Sequence, residues 1–143
     1  MLDAIQSSWA WIGLEAEEVL GQNDFGNLLI RDRNGRFWRI CPEELSCEVV
    51  AEAQEELAEL SRDPAFVEDW QMDNLVNAAQ VALGPLVEGR SYCLKIPAVL
   101  GGQYLPENYA IVPTEELISF AGSAAKQIKD LPDGTSVEFR IVD

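Results

Sequence analysis

Histidine is absent from the 143 residues, and that absence removes whole classes of chemistry. Without an imidazole there is no Ser-His-Asp or Cys-His nucleophile system, no HExxH metalloprotease motif and none of the usual histidine-containing zinc sites. Basic side chains are scarce, with 10 Lys and Arg against 25 Asp and Glu, for a formal net charge of −15. A surface of that sign repels polyanions, which argues against direct binding to nucleic acid or anionic lipid. Long apolar runs are missing too; none approaches the roughly 18 to 20 residues needed to span a bilayer. Cys41, Cys47 and Cys93 make an odd count without CxxC spacing, so they read as buried thiols rather than a disulfide framework. The opening MLDAIQSSWAWIGLEAEE lacks the basic start and small-residue cleavage site of a signal peptide, and a cytoplasmic protein is the expectation.

What is present is ordinary globular material: 48% hydrophobic and 24% charged residues, in a chain long enough to bury a core without disulfides or metals. No repeat, low-complexity run or composition shift divides it, so residues 1–143 are expected to form one domain. The stretch from Pro97 to Gly134 organises the rest. Gly101-Gly102 permits a tight turn, and Tyr109 to Val112 reads as a strand ended by Pro113. Thr114 is a plausible N-cap, and Glu115 and Glu116 place negative charge in the first turn of the helix that follows. Leu117, Phe120, Ala121, Ala124 and Ile128 give that helix an apolar face. Pro132-Asp133-Gly134 marks a turn into a final alternating strand, Thr135 to Val142.

Upstream, Asp3 to about Leu20 reads as a first helix interrupted by Gly13, with Ile5, Trp9, Ile12 and Leu20 available for its apolar face. Trp9 and Trp11 cannot both lie at the centre of that face. Asn27 to Asp32 and Arg36 to Cys41 form a hairpin around Asn34-Gly35, a pair suited to a two-residue type I′ turn. A short turn and a strand over about residues 46 to 52 come next. Gln54 to Ser61 reads as a helix with Leu57 and Leu60 inward. After the Asp63-Pro64 break, Ala65 to Leu83 reads as one helix, with Phe66, Trp70, Leu75, Ala78, Ala79 and Ala82 toward the core. Ser91 to Ile96 is a further strand. Strands and helices mix without βαβ alternation, which predicts an α+β fold: a single compact domain with an antiparallel sheet that includes the Asn-Gly hairpin, packed with several helices.

Candidate chemistry is thin. The adjacent acids Glu17-Glu18, Glu43-Glu44, Glu55-Glu56, Glu68-Asp69 and Glu115-Glu116 suggest acid/base work or a magnesium site, but neighbours on a helix diverge by about 100°, and solvated faces explain them better. Leu100 to Tyr104 lacks both the GxxxxGK[ST] and GxGxxG spacings of phosphate loops. Ser119 and Ser123 with Lys126 share a helix face but have no visible oxyanion hole. No catalytic residue, metal ligand or cofactor is assigned. More useful is Trp70 among Glu68, Asp69 and Asp73: an aromatic anchor ringed by carboxylates suits a cationic partner, although a core tryptophan with acids facing water is the plainer reading.

Two stretches carry a resemblance. Residues 23–45 and 96–137 contain Gly26-Asn27 before the hairpin, Trp38-Arg39-Ile40, Leu100 to Tyr104 with Asn108, and Gly122, Gln127 and Leu131 to Gly134. In these the chain resembles the C-terminal domain family of type VI secretion immunity proteins of the Tdi type. The larger members often carry an extra N-terminal domain, which this chain is expected to lack. The resemblance implies a non-enzymatic cytoplasmic antitoxin that binds a cognate effector one-to-one and occludes its active site, the effector being a nuclease or an NAD-consuming toxin. Its motifs look architectural, so the contact residues come from charge and loop position instead: Glu68, Asp69, Trp70, Asp73, Glu107 and Asn108. A regulatory or scaffold module with a non-toxin partner, and an enzyme working with carboxylates alone, are the competing expectations.

Overall fold

Four strands form one antiparallel sheet in chain order: Ala16–Gln22 (β1), Leu28–Asp32 (β2), Phe37–Cys41 (β3) and Ser46–Ala51 (β4). The computed structural model describes residues 1–131; the turn and strand expected over 132–142 lie outside them. Of the two inner strands, β3 is buried on both faces. Trp38 and Ile40, opposite Ile30 and Leu28, share a core with Ile5, Trp9 and Leu14. Phe37 faces the other way onto Ala51 and Leu57. Two helices cover the first face: Leu2–Trp9 (α1) and Thr114–Ile128 (α5), which supplies Ile118, Ala121, Ala124 and Ala125 to the same core. On the second face lie Gln54–Arg62 (α2) and Pro64–Gln71 (α3).

A smaller two-stranded sheet pairs Arg90–Leu94 (β5) with Tyr109–Pro113 (β6), and Asp73–Leu83 (α4) packs on it. Phe25, Ala79, Tyr92, Leu94 and Tyr109 form its buried centre. The fold is α+β, as the sequence predicts.

Several expectations are corrected. The first helix does not run to Leu20. It ends at Trp9, a 3-10 turn follows over Ala10–Ile12, and Gly13 at φ +94° reverses the chain into β1. In that strand the backbone groups pair with β2, and Leu20 is 40% exposed. Trp9 is fully buried, while Trp11 stacks on it at 5.9 Å and is half-buried. The segment 65–83 is two helices, because Met72 adopts a left-handed conformation at φ +51°. Ala78 and Ala82 consequently face outward, and Ala79 is the buried alanine of α4. Thr114 begins α5 without capping it; its hydroxyl meets Ser91 Oγ at 2.6 Å inside the protein. On α5 it is Ile118, not Phe120, that lies fully buried; Phe120 is 42% exposed.

The β2–β3 turn has Gly35 at φ +80°, whereas Asn34 does not take a positive φ. Gly35 N donates to Asp32 O and Asp32 N to Arg36 O, which makes a three-residue loop with glycine in the left-handed position rather than a two-residue type I′ turn.

Candidate functional site

Arg39 is the centre of the polar structure on the second face of the sheet. Strand β3 directs its side chain away from the Trp38–Ile40 core, into a space closed by α3. There it is 9% exposed. A buried guanidinium needs partners for its donors. Arg39 Nε and Nη2 donate to Asn27 Oδ1 at 3.1 and 2.9 Å, and Nη1 donates to Asp69 Oδ2 at 2.6 Å. The Trp70 and Phe66 ring centroids lie 5.2 and 5.9 Å from its guanidinium carbon, within cation–π range.

Asn27, fully buried, passes the network on: its Nδ2 donates to both carboxylate oxygens of Glu43, at 2.9 and 3.2 Å. Burial pushes the Glu43 carboxyl above its ordinary range, opposed by its own backbone N–H, Asn27 and Arg39. Asn23 fastens the chain reversal before β2. Its Oδ1 accepts from Phe25 N and Asn27 N, and its Nδ2 donates to Trp70 O at 2.9 Å. The Asn27, Arg39 and Glu43 side chains thus lock the hairpin to the following turn, and α3 is strapped over them.

The sequence-selected residues fall into two groups. Asp69 and Trp70 join the Arg39 network: Asp69 stays 68% exposed and Trp70 is half-buried. Glu68 and Asp73 are exposed on either side of them. Glu107 and Asn108 belong to the 3-10 turn Pro106–Asn108, which lies against α4. Glu107 is exposed. The Asn108 amide is spent on its own loop: Oδ1 accepts from Ile96 N, and Nδ2 donates to Ile96 O and Gln103 O. Gly102 fits inside that loop because a Cβ there would collide with the Ile96 carbonyl. Gly101, at φ +94°, makes the turn itself. Sequence reasoning missed Arg39, Asn27 and Glu43 as a unit.

Other candidate chemistry is dispersed by the fold. Glu43 is buried while Glu44 is exposed and accepts from the Tyr104 hydroxyl at 3.2 Å. Glu18 and Glu17 both turn to Arg31, at 2.8 and 4.0 Å, on the rim of an open depression lined by Met1, Leu2, Asp3 and Val19. Ser123 accepts from Gln127 on the surface of α5. Burial raises the thiols of Cys41 and Cys47 to about 12 and that of Cys93 to about 11, far from thiolate reactivity at neutral pH. Among the described residues no cluster of His, Cys, Asp and Glu is placed to hold a metal ion, and no helix is long and apolar enough to cross a membrane.

Comparison with known proteins adds two findings. A family model described as "T6SS immunity protein Tdi1, C-terminal" matches residues 51–124. The crystal structure of Atu4351 from Agrobacterium tumefaciens superposes with a TM-score of 0.55 at 18% identity, covering 85% of this chain and 62% of that one. At that identity the likeness is one of fold, and the present chain spans 62% of the other's length. No curated protein matches this sequence.

Proposed function

The chain belongs to the family of type VI secretion immunity proteins defined by the Tdi1 C-terminal region, and from that premise we propose that it binds a cognate effector in a one-to-one complex and occludes the effector's active site. The observation that carries this reading is the family match over residues 51–124. The charge supports the mode of action. An effector that grips DNA or a phosphorylated dinucleotide must present cationic or anion-binding surface at its catalytic cleft. A protein of net charge −15 approaches such a surface rapidly and competes with the substrate for it. The inhibitor itself performs no reaction in this scheme.

Glu68, Asp69, Trp70, Asp73, Glu107 and Asn108 remain the proposed contact set. Within it the exposed carboxylates of Glu68, Asp73 and Glu107 are free to steer, whereas Trp70 and Asn108 hold the shape of the surface. The test is co-expression with the product of the adjacent gene, scored by host growth and by co-purification. Growth rescue with a stable complex is the expected result, followed by assays of that product on DNA and NAD to name its chemistry. An adjacent product that is not toxic and forms no complex overturns the reading in favour of a binding module with another partner.

A further inference from the structure

Helix α4 is attached by a narrow stripe: Met72, Leu75, Val76 and Ala79 pack on the smaller sheet, and Ala79 alone of these is fully buried. The Tyr92 hydroxyl fixes its far end by donating to Gly84 O at 2.6 Å. The rest of the helix is surface, and that surface is unusual for this chain. Val81 is 90% exposed, and Leu83 and Val87 are exposed by 39% and 64%. Single exposed apolar residues are commonplace. Here, however, no charged side chain occurs from Asn74 to Val87 in a protein of which 24% is charged. A helix packed by one stripe ordinarily turns charged residues to water. This one turns Asn74, Asn77, Ala78 and Val81 outward.

Depletion of charge around an apolar centre is the composition of a protein–protein interface core. Acids predominate at the margin, with Arg90 two residues beyond Glu88 and Lys95 beside the Asn108 turn as the basic residues that border it. Between Arg62 and Arg90 the sequence contains no basic residue. Asp73, Asn77 and Val81 follow one another at four-residue steps, so the acid and the valine lie on the same side of the helix. Glu88 follows Val87, and Glu107 stands in the turn against α4.

Building on the immunity reading above, we propose that the outward face of α4 around Val81, continued by Leu83 and Val87, is the apolar core of the surface that seats the effector. Its occupant is an apolar protrusion of the effector flanked by lysine or arginine, because the acids at the margin complement those charges. A second copy of this chain would set acidic margin against acidic margin, with −15 on each protomer, and is the disfavoured occupant.

The purified chain is titrated against the catalytically inactivated product of the adjacent gene. Val81→Asp and Val87→Asp should each raise Kd by at least about tenfold, with the fold retained: both positions are solvent-facing, and the stability cost of Val81→Asp is limited to that of an acid in the last turn of α4. A benzoylphenylalanine at position 81 should cross-link to the effector in the wild-type background. Wild-type binding with undiminished affinity in both Asp variants overturns this surface while leaving the immunity reading intact. Failure of the wild-type chain to bind overturns both. Cross-links that run to a second copy, or to residues 132–143 of the same chain, overturn the proposed occupant.

Discussion

Arg39 shows how a residue inside a recognisable motif can be structural and still shape the surface proposed for partner contact. It replaces its lost water with Asn27, Asp69 and two aromatic faces. Arg39→Ala leaves the buried Asn27 and Glu43 without their cation and should cost about 3 kcal/mol, read by chemical denaturation. Arg39→Lys keeps the charge but loses the fork to Asn27, and about 1–2 kcal/mol of destabilisation is expected. Glu43 carries a pH signature. Its folded pKa lies above the unfolded value because of burial, so the folded state holds its proton more tightly and stability falls as pH rises from the ordinary glutamate pKa through the folded one. Glu43→Gln removes that loss: the Tm difference, variant minus wild type, should be more positive at pH 7 than at pH 4.5. A difference independent of pH would mean that the carboxyl titrates alike in both states. Asp32 runs in the opposite sense. Burial pushes its carboxyl up, but the indole of Trp38 and the backbone N–H groups of Arg36 and Asn34 outweigh it and hold the carboxyl below its ordinary value. Its contribution is therefore present above the unfolded pKa and is lost as pH falls through the folded one.

At the scale of elements, legibility followed locality. The hairpin strands, β4 after its short turn, α2, β6 and α5 were readable because alternation, helical spacing and proline breaks are encoded within each segment. The first helix stops short of its expected end because Ala16–Gln22, which has no strong strand pattern of its own, becomes a strand by pairing with β2. The break at Met72 had no glycine or proline to announce it. The Arg39–Asp69 contact joins positions 30 residues apart, and no local spacing predicts such a pair. Gly122 belongs to the motif that carries the family resemblance, and its physical role appears only in the packing: a Cβ there would run into the backbone of Ser8 on α1. Trp11 Nε1 spans the same contact, donating to Ser8 O at 2.9 Å and Gly122 O at 3.2 Å. Gly122→Ala therefore sets two effects against each other. Alanine gains about 1 kcal/mol of helix propensity, while prising α1 from α5 costs about 1–3 kcal/mol of overpacking. The clash is with backbone, which cannot swing aside, so net destabilisation is expected. A Tm at or above wild type would show that α1 can shift freely.

For the whole molecule the dominant quantity is the charge of −15, and the question is whether it acts as a diffuse field or through one face. Either way, association with a cationic effector should slow by about tenfold or more as sodium chloride rises from 20 to 500 mM, with dissociation changing much less. Reversing Glu68, Asp73 and Glu107 to lysine changes the net charge by six units around α4. Reversing Asp3, Glu15 and Glu17 changes it by the same amount, at exposed positions on α1, β1 and the segment between them. A diffuse field predicts equal loss of kon in the two triple variants, because at a distance only net charge counts. A steering face predicts a clearly larger loss for the first set, together with a shallower dependence of kon on salt. The second outcome is expected here, because Glu68, Asp73 and Glu107 are exposed and the segment between Arg62 and Arg90 contributes acids and no basic residue of its own, although Arg39 beneath α3 and Lys95 beside the Asn108 turn temper the field. Stopped-flow association of each variant with the inactivated effector separates the two cases, and equal rates would remove the α3–α4 end of the molecule from the steering surface.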